Sequence, residues 1–290
     1  YLYLSTKGST IYMVCYKDEY KFAVSQDSGK HWQVSNLGFL PNYENGFLSV
    51  EDRTFFISGY DGLYESIDNG LTWNENIALR SYINPVHSIP HLFDISVYGD
   101  TILLGQLITN GMDGHVKGVI ISLDGGISWY CPDTLNTPVR AVAVEKIGPN
   151  ILCSNVGVKY YDFRFNTWEN STGINSQQGE INDFVKIGSR IFGVSNRYIK
   201  YSDVSGCSWL DLKLKLEYSE IIIPRTLAYN NSNLYFLTTQ KKIYSINYSN
   251  LTVQVLDIEF PEFDPFPYEN QTIFTLGDDY LFYISKDKLW

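Results

Sequence analysis

A tryptophan-bearing pattern recurs along this chain, and it constrains the fold more than any other feature. The pattern is Ser-x-Asp-x-Gly-x-x-Trp, and its three intact copies run from Ser25 to Trp32, from Ser66 to Trp73 and from Ser122 to Trp129. A fourth copy, from Ser202 to Trp209, keeps the Ser, Gly and Trp but carries its acid at Asp203. Repetition at such intervals predicts a series of similar supersecondary units rather than one irregular domain.

Each copy has the composition of a tight turn between two strands. The Asp carboxylate can accept backbone N–H bonds across the turn, and the Gly tolerates positive φ. The Trp then leaves the turn and covers apolar surface between neighbouring sheets. We therefore predict a structural and not a catalytic role for Ser25, Asp27, Gly29, Trp32, Ser66, Asp68, Gly70, Trp73, Ser122, Asp124, Gly126, Trp129, Ser202, Gly206 and Trp209.

Seven short hairpins surround these turns, and each is followed by a third β-rich run. The turn then leads into a fourth strand, and two degenerate copies of it occupy residues 161–168 and 245–252. This arrangement predicts an all-β, seven-bladed β-propeller that spans residues 1–290 as a single domain, with four-stranded antiparallel blades and no long helix. We expect the last blade to be incomplete, because the chain stops at Trp290 inside its third strand.

The recurring pattern resembles the Asp-box, or bacterial neuraminidase repeat, of sialidase-like and xyloglucanase-like propellers. Because propellers with this repeat are commonly exported, the resemblance implies an extracellular or cell-surface, secreted protein. In a propeller, the second-to-third loops and the links between blades lie on the face opposite the repeated turns. Binding sites are expected on that face, around the mouth of the central channel.

Candidate binding residues fall in the longer segments of that face. They are Arg80, His87, His91, Asp113, His115, Arg140, Arg197, Arg225, Phe263 and Phe266. The three histidines and Asp113 could form a metal or acid–base site, but their spacing is not distinctive, so we favour exposed loop residues and predict no metal and no cofactor. The two phenylalanines belong to a proline-stiffened link, residues 257–270, that either grips a partner or packs against the propeller.

No catalytic residue is predicted. The sialidases that this repeat resembles hold a substrate carboxylate with three arginines, because guanidinium binds carboxylate in a bidentate manner. The first blade lacks an Arg-Ile-Pro motif, and no Tyr–Glu pair or pair of placed carboxylates stands out.

Charge and composition exclude two classes of partner. The net charge is −10 and the pI about 4.9, and no run of Lys or Arg offsets this charge, so nucleic acid is not expected to bind. No stretch reaches the roughly 18 apolar residues that a membrane-inserted helix needs. The four cysteines fit no zinc spacing, and we expect them to be free and mostly buried.

Three functions remain open from the sequence. The first is a non-enzymatic extracellular or cell-surface module that binds a protein or a glycan, as one component of a larger assembly. The alternative is a glycoside hydrolase of sialidase-like or xyloglucanase-like type. The third is an assembly factor similar to the Asp-box propellers that help to build photosystem II, although the basic patch expected of that class is not evident in this acidic chain.

Overall fold

The fold was obtained as a computed structural model. It describes residues 3–7, 10–41, 47–51, 54–58, 62–83, 91–107, 118–132, 141–155, 157–174, 180–203, 205–230, 232–257, 274–276, 281–285 and 288–289. These residues form antiparallel sheets, together with one short helix.

Five of the sheets have four strands each, paired in chain order. The first contains β1 (Tyr3–Lys7), β2 (Thr10–Lys17), β3 (Glu19–Ser25) and β4 (Gln33–Asn36). The second contains β5 (Leu48–Glu51), β6 (Thr54–Ser58), β7 (Leu63–Ser66) and β8 (Asn74–Glu75), and is followed by helix α1 (Ile77–Ile83). The third sheet has three strands, β9 (His91–Tyr98), β10 (Thr101–Leu107) and β11 (Val119–Ser122).

The remaining four sheets follow the same order. The fourth contains β12 (Ala143–Ile147), β13 (Asn150–Asn155), β14 (Gly157–Asp162) and β15 (Thr167–Asn170). The fifth contains β16 (Asp183–Ile187), β17 (Arg190–Val194), β18 (Ile199–Asp203) and β19 (Leu210–Asp211). The sixth contains β20 (Ile222–Tyr229), β21 (Asn233–Thr238), β22 (Ile243–Asn247) and β23 (Val253–Leu256). The seventh contains β24 (Phe274–Leu276), β25 (Leu281–Ser285) and β26 (Lys288–Leu289).

The first strands of successive sheets surround a common axis. Each contacts the first strand of the next sheet, in the order β1, β5, β9, β12, β16, β20 and β24, and β24 contacts β1. The protein is therefore an all-β propeller, and five of its blades are four-stranded antiparallel sheets. The strands of each blade follow one another from the axis outwards, so each sheet has only short exposed edges. Short edges are usual in propellers and limit unwanted pairing with other chains.

The core lies between neighbouring blades, and tryptophans occupy it as the repeat predicted. Trp168 packs between Leu103 and Ile121 of the third blade and Ile151 of the fourth. Trp209 fills the equivalent space between the fourth and fifth blades. A propeller closes because each sheet buries both of its faces against its neighbours, and large aromatic side chains supply much of that buried area.

The third blade departs from the expected four strands. Its fourth strand is reduced to a single bridge between Ile121 and Tyr130. The next backbone donor, Cys131 N, bonds to Tyr82 Oη at 2.7 Å instead of extending the ladder. Tyr82 belongs to α1, which was not expected because seven residues are too short to show a helical period; its Leu79 and Ile83 are buried between the second and third blades.

Two further expectations can be compared with the structure. None of the four cysteines forms a disulfide, but only Cys153 is buried, and Cys15, Cys131 and Cys207 are partly exposed. The expectation that they are mostly buried was therefore wrong for three of them. In the part of the chain that the structure describes, no helix is long and apolar enough to span a bilayer.

Candidate functional site

The repeated turns hold their polar side chains in closed hydrogen-bond networks. In the second copy, Ser66 Oγ donates to Asp68 Oδ1 at 2.8 Å and accepts from Gly70 N at 2.8 Å. Asp68 Oδ1 also accepts from Leu71 N and Thr72 N, at 3.1 and 2.9 Å. Three of these bonds, those from the Ser hydroxyl, from the Gly N–H and from the N–H four residues after the Asp, recur in the first and third copies. These side chains are therefore committed to the turn.

The hydrogen bonds also hold the turn carboxylates in their ionised form. Bonds from Thr72 lower the pKa of Asp68 to about 2. The pKa of Asp27 is lowered chiefly by bonds from His31, and that of Asp124 by bonds from Ser128. A permanently charged, hydrogen-bond-saturated carboxylate is a poor proton donor, which supports the structural role predicted for these residues.

The fourth copy keeps its turn although its acid is displaced. Gly206 N donates to Ser202 Oγ at 3.1 Å, and Trp209 Nε1 donates to Gly206 O at 2.8 Å. Asp203 leaves the network and pairs with Arg190 at 2.7 Å. The Ser, the Gly and the Trp are thus sufficient to form the turn.

The glycines of these turns also allow close packing between blades. A Cβ on Gly70 would lie 2.1 Å from Phe22 Cε1 of the preceding blade, and one on Gly206 would lie 2.5 Å from Leu152 Cδ2. Both glycines have positive φ, as the sequence predicted, at 79° and 69°. Sequence reasoning identified the conformational requirement for glycine but not the steric one.

A cavity of about 630 Å³ lies within the central channel. It is lined by first strands and adjoining turns of the second to sixth blades: Ser49, Ile95, Ser96, Val97, Tyr98, Gly99, Glu145, Phe184, Val185, Lys186, Gly188 and Tyr229. Several of these residues lie where a first strand ends. The first and third strands of a blade run in the same direction, so both end on the same face of the propeller. The repeated turns follow the third strands, and the cavity therefore reaches the face that carries them.

Glu145 lines this cavity with a carboxyl group. Its Oε1 accepts a hydrogen bond from Ser96 Oγ at 3.1 Å and another from Lys146 N at 2.8 Å. Burial raises the pKa of Glu145 to about 7, against the lowering effect of these bonds and of Lys186. The group therefore changes charge near neutral pH.

A lysine and a tyrosine bridge the cavity beside this carboxyl group. Lys186 Nζ donates to Tyr98 Oη at 2.6 Å and lies 4.7 Å from the centre of the Tyr98 ring. Lys146 Nζ lies 5.8 Å from the centre of the same ring, so two ammonium groups lie close to one aromatic ring. Tyr98 is 45% exposed and is accessible to a ligand. The site thus combines an aromatic surface, cations and a titratable carboxyl group.

The chemistry of this set is suited to binding. The ammonium groups can donate to a ligand's oxygens, Tyr98 can stack, and Glu145 can accept or donate a hydrogen bond according to pH. A glycoside hydrolase needs two carboxyl groups on either side of the scissile bond. Among the described residues, the cavity lining contributes one, Glu145.

The protonation of Glu145 predicts a pH-dependent stability. The folded protein binds this proton more tightly than the unfolded chain does, so the stabilisation is complete below about pH 4.5 and is lost as the pH rises to about 7. Solvent at the channel edge reduces the effect. Between pH 5 and pH 8 we expect the unfolding free energy of wild type to fall by about 1–3 kcal/mol relative to that of Glu145→Gln. Urea unfolding of both proteins at the two pH values measures the difference.

The matched control is Glu169→Gln on β15, where the side chain is exposed. Its unfolding free energy should stay parallel to that of wild type over the same range. If Glu145→Gln also ran parallel to wild type, the carboxyl group would not be buried as described.

Two of the sequence-predicted binding residues, Arg80 and Arg197, have described side chains, and neither lines this cavity. Arg80 was expected in a loop but lies on helix α1. The chain enters this helix shortly after β8, and the Arg80 guanidinium pairs with Glu75 at the end of that strand, at 2.8 Å. Arg197 lies in the turn between β17 and β18 and donates to Tyr218 O at 3.0 Å. His91 begins strand β9 and Arg225 lies within β20, so His91 is not a loop residue either.

The other candidates remain predictions. His87, Asp113, His115, Arg140, Phe263 and Phe266 lie outside the described residues. Within the described residues, no group of three or more His, Cys, Asp or Glu side chains is arranged to hold a metal ion.

Sequence reasoning missed Ser96, Tyr98, Glu145 and Lys186. A signal was present, because Asp94, Ser96 and Tyr98 alternate along one strand and therefore share one face of it. Polar residues at a period of two are unusual on the first strand of a blade, where both faces pack against neighbours. Which of them meet across the channel is not readable from spacing.

The fold and the site together define an all-β propeller with a charged, aromatic cavity in its channel. No family model and no curated protein sequence matches the chain. Solved propellers are similar in fold. They include YCF48 bound to D1 peptide, with 13% identity and a TM-score of 0.60 over 98% of this chain and 88% of that one. YCF48 from Cyanidioschyzon merolae has 12% identity and a TM-score of 0.58 over 99% of this chain and 92% of that one.

An enzyme is also among the similar structures. The xyloglucanase of family GH74 from Xanthomonas campestris has 12% identity and a TM-score of 0.53 over 92% of this chain. The match covers 46% of the xyloglucanase, so more than half of that enzyme has no counterpart here. At these identities the likeness establishes the fold alone.

Proposed function

We propose that the protein is a non-enzymatic binding propeller that holds a protein partner at the mouth of its central channel. The observation that carries the proposal is the cavity in which Lys186, Tyr98 and Glu145 meet. An exposed aromatic ring with two ammonium groups close to it is a binding arrangement, and it requires no reacting group. A segment of a partner that bears carboxylate or carbonyl oxygens fits the cationic side of this mouth.

The fold comparison supports a protein partner over a glycan. One similar propeller was solved with a bound peptide, and that complex shows that this architecture can hold a polypeptide segment. We further propose that the ring has seven blades, that the last one is completed from outside the described strands, and that the protein works at the cell surface or outside the cell within a larger assembly.

A glycoside hydrolase is the second function compatible with this fold. It is favoured by the fold of the xyloglucanase and by the pKa of Glu145, which would suit a general acid. It is disfavoured because Glu145 is the one carboxyl group among the described residues of the cavity lining, and hydrolysis with either stereochemical outcome needs a pair.

Selection of peptides from a random display library on the wild-type protein provides a probe for the site. Replacing Tyr98 by Ala together with Lys186 by Met should raise the Kd of the selected peptides about tenfold or more, since an aromatic anchor and its cation are lost. Isothermal titration calorimetry measures the affinity. Arg197→Ala, on the opposite face, should leave the Kd within about twofold.

The binding of the variants distinguishes the two faces, and an assay of hydrolysis distinguishes the two functions. If Arg197→Ala abolished binding while the double variant did not, the site would lie on the face that the sequence favoured. Release of reducing ends from xyloglucan or a sialoside, lost in Glu145→Gln, would replace the binding function with hydrolysis.

A further inference from the structure

Six apolar side chains stand exposed on the third-to-fourth turns of three consecutive blades. We call this set the apolar arc: Ile67, Leu71, Leu123, Ile127, Phe163 and Phe165. The exposed fractions of Ile127, Phe165 and Ile67 reach 77%, 73% and 72%. Contiguous exposure of large apolar side chains is uncommon on a monomer surface and marks sites of association.

The repeated turn does not require these residues to be apolar. In the second and third copies they occupy the variable positions on either side of the Asp and Gly, whose side chains and backbone form the network. The first copy has Gln26 and Lys30 at the same positions. The apolar character is therefore a property of the second to fourth blades.

These turns are neighbours in space. Asn76, which follows the second turn, donates to Gly126 O of the third turn at 3.1 Å and accepts from Trp129 Nε1 at 3.2 Å. Trp168, which follows the fourth-blade turn, packs against the third blade. The arc therefore lies on turns of three consecutive, packed blades.

The charges beside the arc are acidic. The segments 62–76 and 118–130 contain Glu65, Asp68, Glu75 and Asp124 but no Lys or Arg, and of these acids Glu75 is paired with Arg80. At the fourth blade Arg164 is neutralised by Asp162 at 2.5 Å and lies 5.5 Å from the centre of the Phe165 ring. A partner must therefore bring apolar side chains and positive charge.

We propose that the apolar arc is a second docking surface, distinct from the channel cavity, and that it binds a polypeptide segment that is both apolar and basic. An amphipathic helix with Leu and Lys on adjoining faces meets this requirement. An anionic lipid surface does not, because the fixed turn carboxylates would repel it.

The test uses a synthetic helical peptide of about 18 residues built from Leu and Lys, and a matched peptide with Glu in place of Lys. Fluorescence anisotropy should show the Leu/Lys peptide binding the wild-type protein about tenfold or more tighter than the Leu/Glu peptide. Its affinity should fall as salt rises from 50 to about 300 mM. Equal affinity for the two peptides would overturn the proposal.

Matched variants distinguish binding by the apolar arc from binding by exposed apolar residues elsewhere on the surface. The variant Ile67→Ser, Leu71→Ser, Leu123→Ser, Ile127→Ser should weaken Leu/Lys binding about tenfold or more. The control replaces four exposed apolar residues outside the arc with Ser: Val34, Leu40, Leu210 and Val255. The control should retain wild-type affinity, and an equal loss in both variants would overturn the proposal.

Two further readouts decide between occupants. Sedimentation with phosphatidylcholine and phosphatidylserine vesicles should show no binding that depends on the arc; such binding would overturn the proposal in favour of a membrane. The Tyr98→Ala, Lys186→Met variant should bind the Leu/Lys peptide as wild type does, so failure of the channel site and failure of the arc are distinguishable.

Discussion

Replacing Gly173 by Ala should destabilise the protein by about 3–5 kcal/mol, the largest effect expected of a glycine substitution among the described residues. Gly173 lies in the link between the fourth and fifth blades, and a Cβ on it would lie 2.0 Å from Trp209 O. The obstacle is backbone, which cannot rotate away as a side chain can. The φ of 78° adds a conformational cost for any other residue.

The bonds around Gly173 explain why the link cannot move aside. Thr172 N donates to Cys207 O and Trp209 N donates to Thr172 O, both at 2.9 Å. Relieving the clash would break this bridge and withdraw Trp209 from the space between the two blades. Urea unfolding followed by tryptophan fluorescence measures the loss.

Gly38 provides the control. Its φ is 72°, but nothing lies within 4 Å of a Cβ placed on it. Gly38→Ala should therefore cost only the conformational part, about 1–2 kcal/mol. Similar losses at both positions would show that positive φ, and not the contact with Trp209, determines the effect.

Trp168→Ala should destabilise the protein by about 3–5 kcal/mol. Trp168 has 0% exposure and lies between the third and fourth blades, so truncation leaves a cavity that two rigid sheets cannot fill. Trp168→Phe should cost less, because Trp168 Nε1 has no hydrogen-bond partner among the described residues and no bond is lost. Chemical denaturation of both variants measures the difference.

Trp32 is the matched comparison, because it occupies the same place in the first copy of the turn. It is partly exposed and donates to Gly29 O at 3.0 Å. Trp32→Ala should therefore cost clearly less than Trp168→Ala. An equal cost would mean that the tryptophans contribute through the turn and not through packing between blades.

Much of the fold was predictable because the turn is local chemistry. Ser66, Asp68 and Gly70 bond within five residues of one another, so their pattern in sequence is their pattern in space. The fold differed from the prediction where a residue distant in sequence took part in the local hydrogen bonding. Tyr82 captures the Cys131 N–H and shortens the third blade, although the two residues are 49 positions apart.

The candidate site was less predictable for the same reason. Lys186 and Tyr98 are 88 positions apart and come from different blades. Their meeting depends on the curvature of the ring, which places the first strands of the third and fifth blades around one channel. Composition identified neither residue, since lysines and tyrosines occur throughout the chain.

The sequence by itself determined the repeated turn, the antiparallel blades and the positions of the interblade tryptophans, because these depend on hydrogen bonds and periodicities that span a few residues. The tertiary structure alone decided which polar groups share the channel, that Glu145 is buried enough to titrate near neutral pH, and that apolar turn residues of three consecutive blades are exposed. Burial and proximity are properties of the closed ring, in which residues from distant repeats share one environment.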